Sequence, residues 1–280
     1  MSSVKHGSEN SGRGLSGMWR DCPIAEIKEN PNLGFYFFDD FSEAPKIGTT
    51  TSEVAVGSKY KCYTKDDGGV TFVDSVNSVR MNGCMALYGG NTDADNGAIV
   101  TVAQPVILTG LSASSGKMRF EARIATTQIA TNDAQLFVGL GETDVTLADG
   151  VPLANTNAVT NTGAFIGFQR NEDGLGVLNT SYSDRATSWT DVSTSEATIA
   201  ALTFVNVGIK YDPWNATKCI SFYRNGVELA TGISSSTLTG LTNLDANNLG
   251  MVAAIFNDTA GTSSYLYVKC WAMAQLAPGQ

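Results

Sequence analysis

Two carboxyl groups held a few ångströms apart are the least equipment that cleaves a glycosidic bond, and Glu121, Glu142 and Asp144 are the acidic residues here that could form such a pair. Glu121 lies between Arg119 and Arg123 in an alternating run, where cross-strand ion pairing on a solvated face is the plainer reading. Glu142 and Asp144 follow Gly141 and read as a loop. We therefore assign no catalytic residue. His6 is the single histidine and falls in a polar N-terminal stretch, which removes Ser-His-Asp and Cys-His arrangements from the folded part of the chain. Asp93, Asp95, Asn96 and Gly97 offer the oxygen-rich loop a hard cation wants, but Gly97 stands where a third ligand belongs and Gln104 where a bidentate Glu belongs. A solvated turn fits them better, and neither a metal site nor a cofactor site is assigned. Cys22, Cys62, Cys84, Cys219 and Cys270 are widely spaced with no CxxC pair, so they read as free thiols packed as small hydrophobes. Trp189, Trp214 and Tyr182 fall near loops and are the residue types on which sugars stack.

The elements that carry these residues are strands. Phe35 to Phe41 is the first. In Lys117 to Ile124, Met118, Phe120, Ala122 and Ile124 alternate with Lys117, Arg119, Glu121 and Arg123, which predicts a strand with one face in the core and the other wet. Gln135 to Gly141 and Ala164 to Gln169 are continuously apolar and read as inner strands, with Gly139 and Gly167 thinning them where another backbone approaches. Val205 to Tyr211 leads to Ile220 to Arg224, and Asn225-Gly226 then predicts a type I′ hairpin into Val227 to Leu229. Met251 to Phe256 and Ser264 to Met273 close the series, the latter alternating Leu266, Val268, Cys270 and Ala272 against Tyr265, Tyr267, Lys269 and Trp271. About a dozen short strands without a long amphipathic helix predict an all-β antiparallel jelly-roll sandwich.

We read residues 34–280 as that single sandwich and residues 1–33 as an N-terminal extended arm, partly disordered or docked on a partner. Trp19, Ile24 and Ile27 are its apolar anchors and the candidate partner-binding residues, although they would serve equally to dock the arm on its own sandwich. With 18 basic against 27 acidic residues, a net charge of −9 and no basic cluster, nucleic acid is excluded as a partner. No stretch reaches the roughly eighteen uninterrupted apolar residues of a spanning helix, and the first residues lack a signal-peptide pattern. No membrane partner is expected.

The run Phe204 to Ala230, FVNVGIKYDPWNATKCISFYRNGVELA, resembles the penultimate hairpin of concanavalin-like and laminin-G-like jelly rolls. Phe38-Asp39-Asp40-Phe41 resembles their DDF opening, and Lys117 to Glu142 their central strands. Hydrolases of that fold class carry an E-x-D-x-E strand flanked by aromatics, which is missing here. A closer resemblance, on MWRDCP (Met18–Pro23), NPNLGFYFFDDF (Asn30–Phe41), FEARI, FVGLGETD and GFQRNEDG, is to phage and prophage virion proteins. It implies a non-enzymatic capsid decoration or cement protein, made in the bacterial host cytoplasm and placed on the virion head surface. Its partners would be the major capsid protein and further copies of itself, as a dimer or trimer. The alternative is a lectin-like, carbohydrate-binding tail or fibre-associated protein with surface glycans as partners, and a glycan hydrolase is the third reading.

Overall fold

A computed structural model describes residues 17–19, 21–41, 54–56, 59–65, 68–73, 83–90, 96–102, 105–108, 115–127, 134–142, 163–170, 176–185, 189–246, 248–257 and 264–279. Two antiparallel sheets face each other. The first runs β15 (Val227–Ile233), β14 (Ile220–Arg224), β13 (Val205–Tyr211), β8 (Met118–Thr126), β17 (Tyr265–Leu276), β5 (Cys84–Tyr88) and β4 (Gly69–Val73), and β1 (Gly34–Asp39) also pairs with β17. The second runs β12 (Thr190–Thr198), β11 (Val177–Asp184), β10 (Ala164–Arg170), β9 (Ala134–Glu142), β16 (Asn248–Asn257), β6 (Asn96–Val102), β3 (Tyr60–Lys65) and β2 (Val54–Val56), with β7 (Val106–Ile107) also on β16. Alternate residues of both sheets, among them Met118, Phe120, Leu136, Val138, Ile166, Phe168, Ile209 and Phe222, interdigitate as one core. The Asn225-Gly226 turn has positive φ at both residues, 48° and 79°, as the hairpin between β14 and β15 requires.

The wet face expected on β8 is covered. Arg119 is 1% exposed and Glu121 4%. What covers them is the segment before β1: a 3-10 turn at Gly17–Trp19, a helix α1 (Ile24–Glu29) that the irregular spacing of its apolar residues did not predict, and a second 3-10 turn at Pro31–Leu33. Met18 and Trp19 pack with Ala272 and Ala274 of β17, with Tyr36 and Tyr223 at the margin. Gly208 of β13 makes room, since a Cβ there would come 2.8 Å from the Met18 sulfur. Below this strap the Trp19 Nε1 donates to Glu121 Oε2 and the Arg119 Nη2 donates to the Asp21 carbonyl. Alternation alone cannot reveal this, because Arg-Glu-Arg opposite an apolar row reads the same whether water or a strap lies above it.

β17 breaks its predicted alternation. Val268 pairs with Ile124 and Cys270 with Arg123, leaving Lys269 as the extra residue of a β-bulge. A slip of one residue turns every later side chain over. Leu266 and Val268 face the core, but beyond the bulge Trp271 and Met273 do so, while Cys270, Ala272 and Ala274 face outward. Trp271 thereby packs on Phe41 and Tyr60, with ring centroids 5.6 and 6.1 Å away.

Both margins of the sandwich are tied. At one, Tyr60 of β3 hydrogen-bonds Asp39 of β1, and the other Asp39 oxygen accepts from the Phe41 amide at 2.7 Å. At the other, Arg224 Nη2 donates to the Thr198 carbonyl at 2.7 Å and Thr231 Oγ1 to Glu196 at 3.2 Å, joining β14 and β15 to β12.

Candidate functional site

β9 and β10 are buried on both faces, as their continuous apolar sequences predict. On the face turned away from the core, Phe137 and Phe165 alternate with Gly139, Gly141 and Gly167. Gly139 lies opposite Gly167 in the ladder. The Phe137 ring occupies the space this pair leaves, since a Cβ on either glycine would come within 3.0 or 2.9 Å of it. Phe165 lies across Gly141 in the same way. Trp189, at the entry to β12, stacks obliquely on both rings, 5.3 Å from Phe137 and 6.2 Å from Phe165. Tyr63, Ile99, Val252 and Ala254 continue the apolar layer across β3, β6 and β16.

A polar row adjoins this layer. Ser181 of β11 pairs with Asp191 of β12 and with Gly167 of β10, so its hydroxyl stands next to Gln169, one step along β10 on the same face. Gln169 Nε2 donates to Ser181 Oγ at 2.9 Å and to Asp191 Oδ1 at 3.2 Å, and Ser181 Oγ donates to the same carboxylate oxygen at 2.5 Å. Gln169 is 0% exposed and its Oε1 has no hydrogen-bond partner among the described residues, whereas Asp191 is half-buried at the edge of the sheet. Trp189 and Asp191, two residues apart, therefore turn the same way. One lays an indole on the aromatic layer, and the other anchors the polar row.

The other candidates separate. Glu121 lies on the first sheet beneath the strap, not on a solvated face. Glu142 is no loop residue but the end of β9, where Arg185 Nε and Nη2 both donate to its Oε1 at 2.9 Å. Asp144, Asp93, Asp95 and Gln104 lie outside the described residues. Asn96 and Gly97 open β6 and do not form a solvated turn: Gly97 is buried beneath the Phe256 ring. Among the described residues no three His, Cys, Asp or Glu side chains converge as a metal would need. Trp189 is 6% exposed and not a loop platform, and Tyr182 turns into the core between the sheets. Trp214 is 51% exposed, in the turn between β13 and β14, where Lys117 Nζ lies 5.2 Å from its ring. Trp19 and Ile27 are buried on the protein's own first sheet and beside β1, and Ile24 is half-buried with them. None of the five cysteines is in a disulfide, and Cys62, Cys84 and Cys219 are buried.

No family model and no curated protein matches the sequence. Among solved structures, peanut lectin superposes with a TM-score of 0.55 at 14% identity, over 86% of this chain and 97% of the lectin. Basic winged bean lectin with Tn-antigen gives 0.51 at 12% identity, over 88% and 100%. A glycoside hydrolase family protein from Mycobacterium thermorestibile gives 0.51 at 12% identity, over 85% and 99%. The fold is a concanavalin-like jelly roll. At such identities the likeness speaks for the arrangement of strands and leaves the chemistry to this chain's own residues.

Proposed function

We propose that the protein is a lectin-like carbohydrate-binding module, with its glycan meeting the edge of the second sheet at the half-exposed Asp191, beside the buried Trp189 layer. The observation that carries this reading is the half-exposed Asp191 carboxylate, held by the buried Gln169 amide and Ser181 hydroxyl next to the aromatic layer of Trp189, Phe137 and Phe165. Sugars present C–H faces that stack on rings and hydroxyl edges that bond planar polar groups, so recognising one takes both surfaces side by side. The lectin-like neighbours support the same reading. Hydrolysis is less well supported, because it takes two carboxyl groups across one bond. Glu142 is held by Arg185 and Glu121 lies on the opposite sheet. The head-decoration reading, with the major capsid protein and further copies of the chain as partners, rests on sequence resemblance alone, and the Trp19 and Ile27 anchors of its opening segment are covered by the protein's own sandwich.

The test is binding of the fluorescently labelled full chain to a printed array of plant, bacterial and animal glycans. Asp191→Ala, at a half-exposed position, should cut binding at least about tenfold, the equivalent of one lost net hydrogen bond. Trp189→Ala should abolish it, and Trp214→Ala, on the other sheet, should leave it unchanged. An array without a bound glycan, or loss of binding on Trp214→Ala alone, rejects this site.

A further inference from the structure

Asparagine followed by glycine is the dipeptide most open to self-modification. The glycine amide nitrogen has no side chain beside it to shield it, and it can close on the asparagine carboxamide to form a five-membered imide. Three such pairs occur: Asn82-Gly83, Asn96-Gly97 and Asn225-Gly226. Asn82 lies outside the described residues, and the other two pairs have opposite surroundings. Asn96 and Gly97 open β6, where Asn96 pairs with Asn257 of β16 and Gly97 with both Lys65 of β3 and Phe256 of β16. Gly97 is also buried beneath the Phe256 ring. Asn225 is exposed, at the tip of the hairpin between β14 and β15.

Asn206 of β13 holds Asn225 from two sides. The Asn225 N–H donates to the Asn206 carbonyl at 2.8 Å, and the Asn206 N–H donates to Asn225 Oδ1 at 2.9 Å. Oδ1 is the atom that takes up the electron pair when the carboxamide carbon is attacked, so a backbone donor already rests where negative charge develops. Closure takes a rotation about the Asn225 Cα–C bond, which swings the Gly226 nitrogen toward Cγ and leaves the side chain on Asn206. At an exposed hairpin tip such a local opening costs far less than opening a strand inside a sheet.

We infer that Asn225 is a site of spontaneous conversion to aspartate and isoaspartate. The Gly226 nitrogen gives its proton to solvent hydroxide and bonds to Asn225 Cγ. The Cγ–Nδ2 bond then breaks, and Nδ2 takes a proton from water and leaves as ammonia. Water opens the imide at either carbonyl, so the net change is amide plus water to carboxylate plus ammonium. Aspartate keeps the length of the main chain and still accepts from the Asn206 N–H. Isoaspartate adds a methylene to the main chain between Arg224 and Val227, which pair directly across the turn, and so strains the register of β14 on β15.

The experiment incubates the full chain at pH 8.5 and 37 °C, folded and in urea, and follows each pair by peptide mapping with mass spectrometry. In urea Asn225 and Asn96 should convert at similar rates. In the folded chain Asn225 should run ahead of Asn96 by at least about tenfold, the difference between opening a tip and opening a ladder. Asn225→Asp should melt as the wild type does, while the isoaspartyl fraction of the incubated chain should melt lower. Asn225 intact in the folded chain after a period that converts it fully in urea overturns the assignment. Asn96 converting as fast as Asn225 in the folded chain overturns the protection given to β6 and the selectivity with it.

Discussion

The indole of Trp19 and the carboxylate of Glu121, 102 residues apart in the chain, meet at 2.8 Å beneath the N-terminal strap. Asn206 Nδ2 approaches the other Glu121 oxygen at 3.4 Å. The strap is thus more than an apolar cover, since it supplies a hydrogen-bond donor to a buried charge on the first sheet.

Trp19→Phe keeps most of the buried area and removes that donor, so it should lower stability by about 1–3 kcal/mol. Trp19→Ala adds the loss of packing and should lower it by about 3–5 kcal/mol. Urea unfolding followed by circular dichroism measures both, and a Trp19→Phe midpoint equal to the wild type would mean the hydrogen bond adds nothing. Removing residues 1–33 should cost more than either, because it uncovers Arg119 and Glu121 together.

Deleting Lys269 removes the extra residue and leaves Val268 opposite Ile124 and Cys270 opposite Arg123, so Trp271 and Met273 should still face the core. Inserting one Ala between Cys270 and Trp271 would instead turn every later side chain over. The expected outcome is a wild-type near-ultraviolet spectrum for the deletion and loss of cooperative unfolding for the insertion, since the largest fully buried side chain of the core would then face outward. A deletion variant that loses the near-ultraviolet spectrum would contradict this placement of the bulge.

Gly139→Ala and Gly167→Ala each place a Cβ against a carbonyl of the neighbouring strand, 2.3 Å from that of Ile166 and 2.5 Å from that of Val138, with the Phe137 ring above. Either should destabilise by about 1–3 kcal/mol, as overpacking of a filled site does. Because Phe137 must shift, both should also weaken glycan binding at Trp189. Thermal melts and binding titrations on the same samples check the pair, and an unperturbed Gly139→Ala variant would contradict the close approach.

Burial holds the Cys62 thiol up at about 12, and burial with the nearby Glu121 carboxylate holds Cys270 at about 11. In the unfolded chain both ionise near 9.0. Between pH 9 and 11 the unfolded chain therefore releases protons that the folded chain keeps, so this contribution is complete below 9 and is lost as pH rises through that window. Melting temperature should fall from pH 8.5 to 10.5 by a slope that Cys62→Ala reduces, and alkylation of Cys62 by iodoacetamide should be slow at pH 8. Rapid labelling at that pH, or an unchanged slope in the variant, would contradict the burial.

Strand identity was readable because two-residue periodicity and turn chemistry act locally: β8, β9, β10, β13 and the Asn225-Gly226 hairpin all follow from neighbours in sequence. What alternation cannot report is what lies on the far side of a strand. Arg119 and Glu121 look solvated until the strap is placed over them, and Trp271 looks outward until the pairing of Val268 and Cys270 locates the bulge. The candidate site was readable only in Trp189, and there as an exposed ring. Gln169, Ser181 and Asp191 are ordinary polar residues in their own strands and become a site only through the register of β10, β11 and β12. The outward alternation of Gln169 against Phe168, and of Ser181 against Thr180, was the one available signal, and it could not say that the two meet.

β17 occupies the interior of the first sheet, with β8 along one edge and β5 and β1 along the other, and Gly34 pairs with Leu276 across nearly the whole chain. During translation β1, β5 and β8 emerge from the ribosome without the strand that joins them, and the strap has no surface to settle on. All strands of the second sheet from β2 to β16 emerge before residues 265–276 do. Its apolar inner face must wait for a partner that is still being made, which predicts slow maturation and a nascent intermediate that relies on chaperones to stay unaggregated.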